Sequence, residues 1–120
     1  MAELNKLTIT AARDGLRKGE FSAVELTSAC LDAAKAAAPL NAWTVLCEEA
    51  AQERAKLADA ALAKGDAPAM TGIPLGIKDL FATKGVQTQA ASNILAGFQP
   101  PYESTVTQNL WDNGAVMIGK

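Results

Sequence analysis

Histidine is absent from this 120-residue sequence, and Cys30 and Cys47 are its two cysteines. That removes His-based triads and Cys/His metal cages from the chemistry these residues can perform by themselves. Lys, Ser, Thr, Asp and Glu remain as the reactive side chains. Aromatics are nearly as scarce, with Phe21, Trp43, Phe81, Phe98, Tyr102 and Trp111 making up 5% of the chain. An excess of one charge is lacking too. Eleven Lys and Arg face thirteen Asp and Glu, for a net charge of −2, so there is no basic stripe to supply the phosphate contacts on which nucleic-acid affinity rests. No run reaches the roughly 20 apolar residues of a membrane span. The opening Met-Ala-Glu-Leu-Asn-Lys has neither the basic start nor the apolar stretch of a signal peptide. The thiols lie in separate apolar segments rather than in a disulfide framework, so the expected setting is reduced and cytoplasmic, with no membrane partner.

What is abundant is alanine, about a fifth of all positions, within a chain that is 49% hydrophobic and 20% charged. That composition suits one domain of closely packed helices. Residues 8–18 read as a short helix closed by Gly19. Ser22 and Glu25 form a capping box for a second helix, with Leu26, Ala29, Cys30, Ala33 and Ala37 on one face until Pro39. Residues 41–46 are short and β-prone and read as a half-buried strand. Residues 48–64 read as the longest helix, with Glu48 and Glu49 at its positive end and the stripe Ala51, Ala55, Ala58, Leu62 as packing surface. After a loop, residues 72–81 read as a buried strand, and residues 86–98 as loop with short strand pieces. Ser104 or Thr105 caps a helix carrying Val106 and Leu110, which Asn113-Gly114 ends before the apolar strand 115–118. The alternation predicts an α/β fold with a mixed sheet flanked by helices. A central strand followed at once by the last residue, Lys120, also suggests a fragment.

Lys78 interrupts an apolar run at the end of a predicted interior strand. An ordinary lysine has a pKa near 10.4 and is almost wholly charged at neutral pH, whereas a desolvated one is a usable base. The alternative is that Lys78 pairs with adjacent Asp79 or reaches solvent along its aliphatic stem. Residues alone leave that choice open. Gly114 to Lys120 matches the letters G-x-x-x-x-G-K of a phosphate loop, but a helix precedes it and its central residues form a bulky strand, so the strand reading stands. Ser22 and Ser104 are explained as helix caps, whereas Ser92, in a loop, has an open role whose plain reading is a turn hydrogen bond.

The segment Gly72-Ile-Pro-Leu-Gly-Ile-Lys78-Asp79 resembles the lysine motif of the amidase signature family. The resemblance continues through residues 88–95 and from Pro101 to Lys120, covering nearly the whole chain. Within the family, Ile77 to Phe81 together with Pro101 to Val106 is most similar to the A subunits of the amidotransferases that act on Glu-tRNA(Gln) or Asp-tRNA(Asn). The resemblance implies that residues 1–120 are the N-terminal portion of a single amidase domain, cut before its Ser/Gly-rich motif. It implies a Ser, cis-Ser, Lys centre in which Lys78 is the base, with Asp79 either holding the strand end and Lys78 or pairing structurally. Both serines and the oxyanion-hole loop would lie beyond Lys120. No metal or cofactor is implied for this chain, with ATP and Mg assigned to a B subunit. B and C subunits are the implied partners, glutamine the small-molecule substrate, and tRNA a partner only through the complex. Gln89 and Asn93 stand where many A subunits have Thr and Lys. Two other readings stay open, a stand-alone amidase acting on small amides and a noncatalytic interaction module.

Overall fold

The computed structural model describes residues 3–120. Three helices, α1 (Ile9–Lys18), α2 (Ala23–Ala36) and α3 (Glu48–Ala63), come first. They are followed by β1 (Pro74–Gly76), α4 (Thr105–Asp112) and β2 (Val116–Gly119), with single 3₁₀ turns at Leu4–Lys6, Ala38–Leu40 and Asn93–Leu95. Three of the four helices start at a side-chain cap, whereas Cys47 at the head of α3 makes no capping hydrogen bond. Thr8 accepts from Ala11 N at the head of α1, Gly19 closes that helix in the left-handed region, and Ser22 with Glu25 completes the capping box of α2. Ser104 caps α4, its side chain accepting from Thr107 N.

A contact across the fold adds to the start of α2. The Asp59 carboxylate on α3 accepts from Ala23 N at 2.6 Å and Val24 N at 3.2 Å, placing negative charge against that helix's positive end. The Ala51, Ala55, Ala58 stripe of α3 is buried as expected. The buried face of α2, however, is Ala23, Leu26, Thr27, Leu31 and Ala34, turned from the predicted Leu26, Ala29, Cys30, Ala33, Ala37 stripe. The rotation follows from packing on two sides. Leu26 joins Ala12, Leu16, Ala55, Ala58 and Ile73 in one apolar cluster, while Leu31 joins Ala51, Val116 and Ile118 in another.

β1 and β2 pair in parallel, Pro74 opposite Val116 and Leu75 opposite Met117, with an irregularity before Gly76 meets Gly119. Strand pairing in residues 72–81 is therefore confined to Pro74–Gly76. Residues 41–46 do not form a continuous strand, since Asn41 sits at φ 51° and Leu46 makes an isolated antiparallel bridge to Gly119. The segment still runs along the free edge of β2, with Cys47 N donating to Ile118 O and Lys120 N to Val45 O, each at 2.9 Å. The hydrogen-bonded surface is thus mixed, with β2 in its middle. Gly119 is needed there because a Cβ would collide with the Val45 carbonyl oxygen. Residues 86–98 form a loop with one 3₁₀ turn and no strand. In α4, Thr107 is the buried residue and Val106 is 50% exposed, so the predicted apolar pair does not face the core together. Among the described residues no helix is long and apolar enough to cross a membrane.

Candidate active site

The carboxyl ends of parallel strands are where α/β sheets place their sites. Here the chain leaves β1 at Gly76 and β2 at Gly119, and each exit leads to a lysine. Ile77 is buried and donates its N–H to Gly119 O at 3.0 Å. Lys78 follows with an exposed side chain, so the apolar run before it does not bury it among these residues. Phe81 N returns to Lys78 O at 3.1 Å, closing a turn over residues 78–81. Lys78 and Asp79 line a cavity of about 370 Å³ whose remaining walls are Ala42, Trp43, Thr44, Gly76, Ile77 and Lys120.

Asp79 is not paired with its neighbour Lys78. Its ion-pair partner is Lys120, with Nζ 3.6 Å from Asp79 Oδ1, a spacing too long for a hydrogen bond. Asp79 Oδ1 is buried with no hydrogen-bond partner, while Oδ2 accepts from Gln89 N at 3.2 Å. The carbonyl of Asp79 accepts from Ala90 N at 2.9 Å, where Ala90 and Ala91 both adopt positive φ, 50° and 56°. Left-handed alanines cost roughly 1–2 kcal/mol each, so the surrounding contacts hold this loop against its preference.

The buried lysine is Lys120, whose side chain has 0% exposure. Its ammonium donates to Phe81 O at 2.6 Å and to Thr88 Oγ1 at 2.8 Å. Burial pushes the Lys120 pKa below the usual lysine value, and Asp79, with Glu103 and Cys47 contributing less, opposes the shift. The G-x-x-x-x-G-K letters are therefore a strand that ends in an inward-pointing cation rather than a phosphate loop. Sequence reasoning passed over Lys120, although the argument applied to Lys78, that a lysine closing an apolar run is costly, applies to it equally.

None of the four serines has an idle hydroxyl oxygen. Ser22 accepts from Glu25 N, Ser28 from Gln52 Nε2 at 2.8 Å, Ser92 from Ile94 N and Ser104 from Thr107 N. Cys30 and Cys47 are free thiols, and burial raises the pKa of both, which disfavours their thiolates. What these residues assemble is one solvent-facing amine on a rigid turn, beside a buried carboxylate and a buried ammonium. A lysine amine becomes a usable base for a nucleophile only where it is desolvated, which these residues by themselves do not do for Lys78.

The profile of the family described as Amidase matches residues 25–120. The chain is 61% identical over 120 residues to the A subunit of glutamyl-tRNA(Gln) amidotransferase from Ruegeria sp. (strain TM1040), covering 100% of this chain and 24% of that protein. It is 59% identical to the protein of the same name from Jannaschia sp. (strain CCS1), with the same coverage. Among solved structures, the native peptide amidase of Stenotrophomonas maltophilia superposes with a TM-score of 0.88 at 28% identity, over 96% of this chain and 24% of that one. The chain thus spans about a quarter of the length of these curated relatives.

Proposed function

We propose, because the chain belongs to the amidase family, that Lys78 is the base of a Ser, cis-Ser, Lys amidase centre in the whole protein. We further propose that this protein is an amidotransferase A subunit, which hydrolyses glutamine to supply ammonia for transamidation of misacylated Glu-tRNA(Gln) or Asp-tRNA(Asn). The observation that carries the reading is the position of Lys78. It stands two residues past a parallel strand, inside Gly72-Ile-Pro-Leu-Gly-Ile-Lys-Asp, and on the wall of a cavity. The match of all 120 residues to amidotransferase A subunits supports the finer assignment.

In this mechanism neutral Lys78 takes a proton, through a bridging serine, from a nucleophilic serine that attacks the glutamine carboxamide carbon. Collapse of the tetrahedral adduct breaks the C–N bond, and Lys78 returns the proton by the same route to the departing ammonia. Water then attacks the acyl carbon and gives up a proton to Lys78 by that route; collapse of the second adduct breaks the C–O bond to serine, the proton returns to the serine oxygen, and glutamate leaves. Both serines belong to parts of the protein outside residues 1–120. The same parts of the protein would cover Lys78, which is exposed among the described residues. B and C subunits are the proposed partners, the B subunit carrying ATP and Mg chemistry and tRNA recognition, and the proposed location is cytoplasmic. The inward-pointing Lys120 argues against any nucleotide-phosphate role for residues 114–120.

A second reading is favoured by the superposition on a peptide amidase, namely a stand-alone amidase that needs no partner subunits. Co-purification of partner subunits with the complete protein separates the two. Lys78→Ala in the complete protein tests both. Glutaminase or amidase turnover is expected to fall by at least about 10³-fold, as for loss of an acid–base group on which a covalent step depends. The fold is expected to survive, as a thermal melt would show, since neither apolar cluster of the described residues includes Lys78. Retained turnover would sink the base assignment.

A further inference from the structure

We propose that Lys120 is a positioning residue for Lys78, its buried ammonium clamping the turn that carries the amine to the end of β2. The proposal rests on the reading of Lys78 as the base. Two consecutive residues of β2 and its exit bracket that turn. Ahead of Lys78, Ile77 N is bonded to Gly119 O at 3.0 Å, and behind it the Phe81 carbonyl is bonded to Lys120 Nζ at 2.6 Å. Between these anchors Phe81 N is bonded to Lys78 O, and Asp79 is tied to the following loop by Ala90 N on its carbonyl and Gln89 N on Oδ2, so the direct ties of the turn to β2 and its exit are those of Gly119 and Lys120.

Lys120 is itself held firmly. Its N–H donates to Val45 O at 2.9 Å, and its carbonyl accepts from Thr44 N at 2.7 Å and from Thr44 Oγ1 at 2.9 Å. Two of the three ammonium protons go to Phe81 O and Thr88 Oγ1. The third faces Asp79 Oδ1, a buried oxygen with no other partner. The Thr88 hydroxyl in turn donates to Val86 O at 3.1 Å, so the ammonium joins the 78–81 turn to the loop that follows it. An apolar residue at position 120 would fill the space yet leave the Phe81 carbonyl with the Thr83 hydroxyl alone, at 3.2 Å, a bond within the crossover that does not tie the turn to β2, and it would remove the cation that faces Asp79 Oδ1. A purely neutralising role would need only Asp79, whereas the shortest contact is to the Phe81 carbonyl.

The test uses the complete protein with its partner subunits and three variants, Lys120→Met, Lys120→Met combined with Asp79→Asn, and Lys78→Ala. Lys120→Met is expected to lower kcat for glutamine hydrolysis by about 10–100-fold with KM within about twofold, the signature of a displaced reacting group. The double variant removes the carboxylate left without its cation, so it is expected to recover the parent's thermal midpoint but not its kcat, because the Phe81 carbonyl is no longer tied to the end of β2. Recovery of kcat in the double variant, or an unchanged kcat in Lys120→Met, would overturn the proposal and leave Lys120 as a neutraliser. Failure of both Lys120 variants to fold would overturn it too, by making Lys120 a residue of global stability. Turnover surviving in Lys78→Ala condemns the base assignment itself. Turnover lost there but kept in Lys120→Met condemns this inference alone.

Discussion

The layer built from α1, α2, α3 and β1 buries Ala12, Leu16, Leu26 and Ala55 against Ile73. The crossover from Ile77 to Ala115 buries Thr83, Thr88 and Thr107 and leaves Ile94 94% and Val106 50% exposed. The first region is held by contact between apolar side chains, which is non-directional and tolerates small adjustments. The second is held by hydrogen bonds of fixed geometry. Thr83 Oγ1 donates to Phe81 O, Thr88 N to Phe98 O, Ser104 N to Ala82 O, and Trp111 Nε1 to Glu103 Oε1 at 2.7 Å. Near the centre of that network sits Lys120. The contrast has a functional meaning, because Lys78 lies in the directional region, where a few short bonds set a position more sharply than an alanine-rich interface can.

That division is tested most strongly in the apolar layer. Leu26 is 2% exposed inside the larger cluster, so Leu26→Ala is expected to cost about 3 kcal/mol in urea unfolding, within the range for buried leucines. In the crossover the comparable test removes a hydroxyl rather than volume. Thr107 is 0% exposed, and its Oγ1 reaches Ser104 O at 3.2 Å and Ala82 O at 3.4 Å. Thr107→Val keeps the shape and loses those bonds, with an expected cost of about 1 kcal/mol. Equal costs at the two sites, or none at Thr107, would break the contrast.

How much of this was legible beforehand also divides along the same line. The end of α1 and the start of α2 were readable because capping is local, the signal at Gly19, Ser22 and Glu25 lying within one turn of the residues it organises. The α3 stripe was readable because Ala51, Ala55 and Ala58 recur at helical spacing on one face, although Ala51 joins one apolar cluster and Ala55 and Ala58 the other. The α2 face was misplaced because Leu31 packs with Ala51, Val116 and Ile118 in a cluster separate from that of Leu26, which periodicity within one helix cannot reveal. Residues 41–46 were β-prone, but their pairing depends on Gly119, more than 70 residues away, and only Leu46 achieves a bridge. At the site, the Lys78 motif stood out in sequence, and its exposure did not. An apolar neighbourhood in sequence buried Lys120 and left Lys78 in solvent, because the first points under the crossover and the second over the cavity mouth. The Asp79 partner was equally hidden, since 41 positions separate it from Lys120 and adjacency favoured Lys78.

The smallest expected effect sharpens the view of Lys120 as a cation kept charged against its surroundings. Burial holds its folded-state pKa below the ordinary lysine value near 10.4 that applies when the chain is unfolded. Between those two values the unfolded chain binds more protons than the folded one, so stability rises with pH across that window. Below the folded-state pKa the cost of burying the ammonium is carried in full; above about pH 10.4 it is gone. Asp79, Glu103 and Cys47 face the ammonium and pull the other way, which narrows the window without reversing the sign. Cys47 contributes an opposing slope of its own, since burial raises its pKa and its stabilising effect fades as pH rises past the unfolded thiol value. The measurement is therefore a difference. Urea midpoints of the complete protein and of its Lys120→Met variant are compared from neutral pH to about pH 10.4, the variant keeping Cys47 and lacking the ammonium. The parent is expected to gain on the variant as pH rises. A parent that loses ground instead would mean that Asp79 outweighs burial, and that the clamp is a stabilising ion pair rather than a cation held in place for the turn it supports.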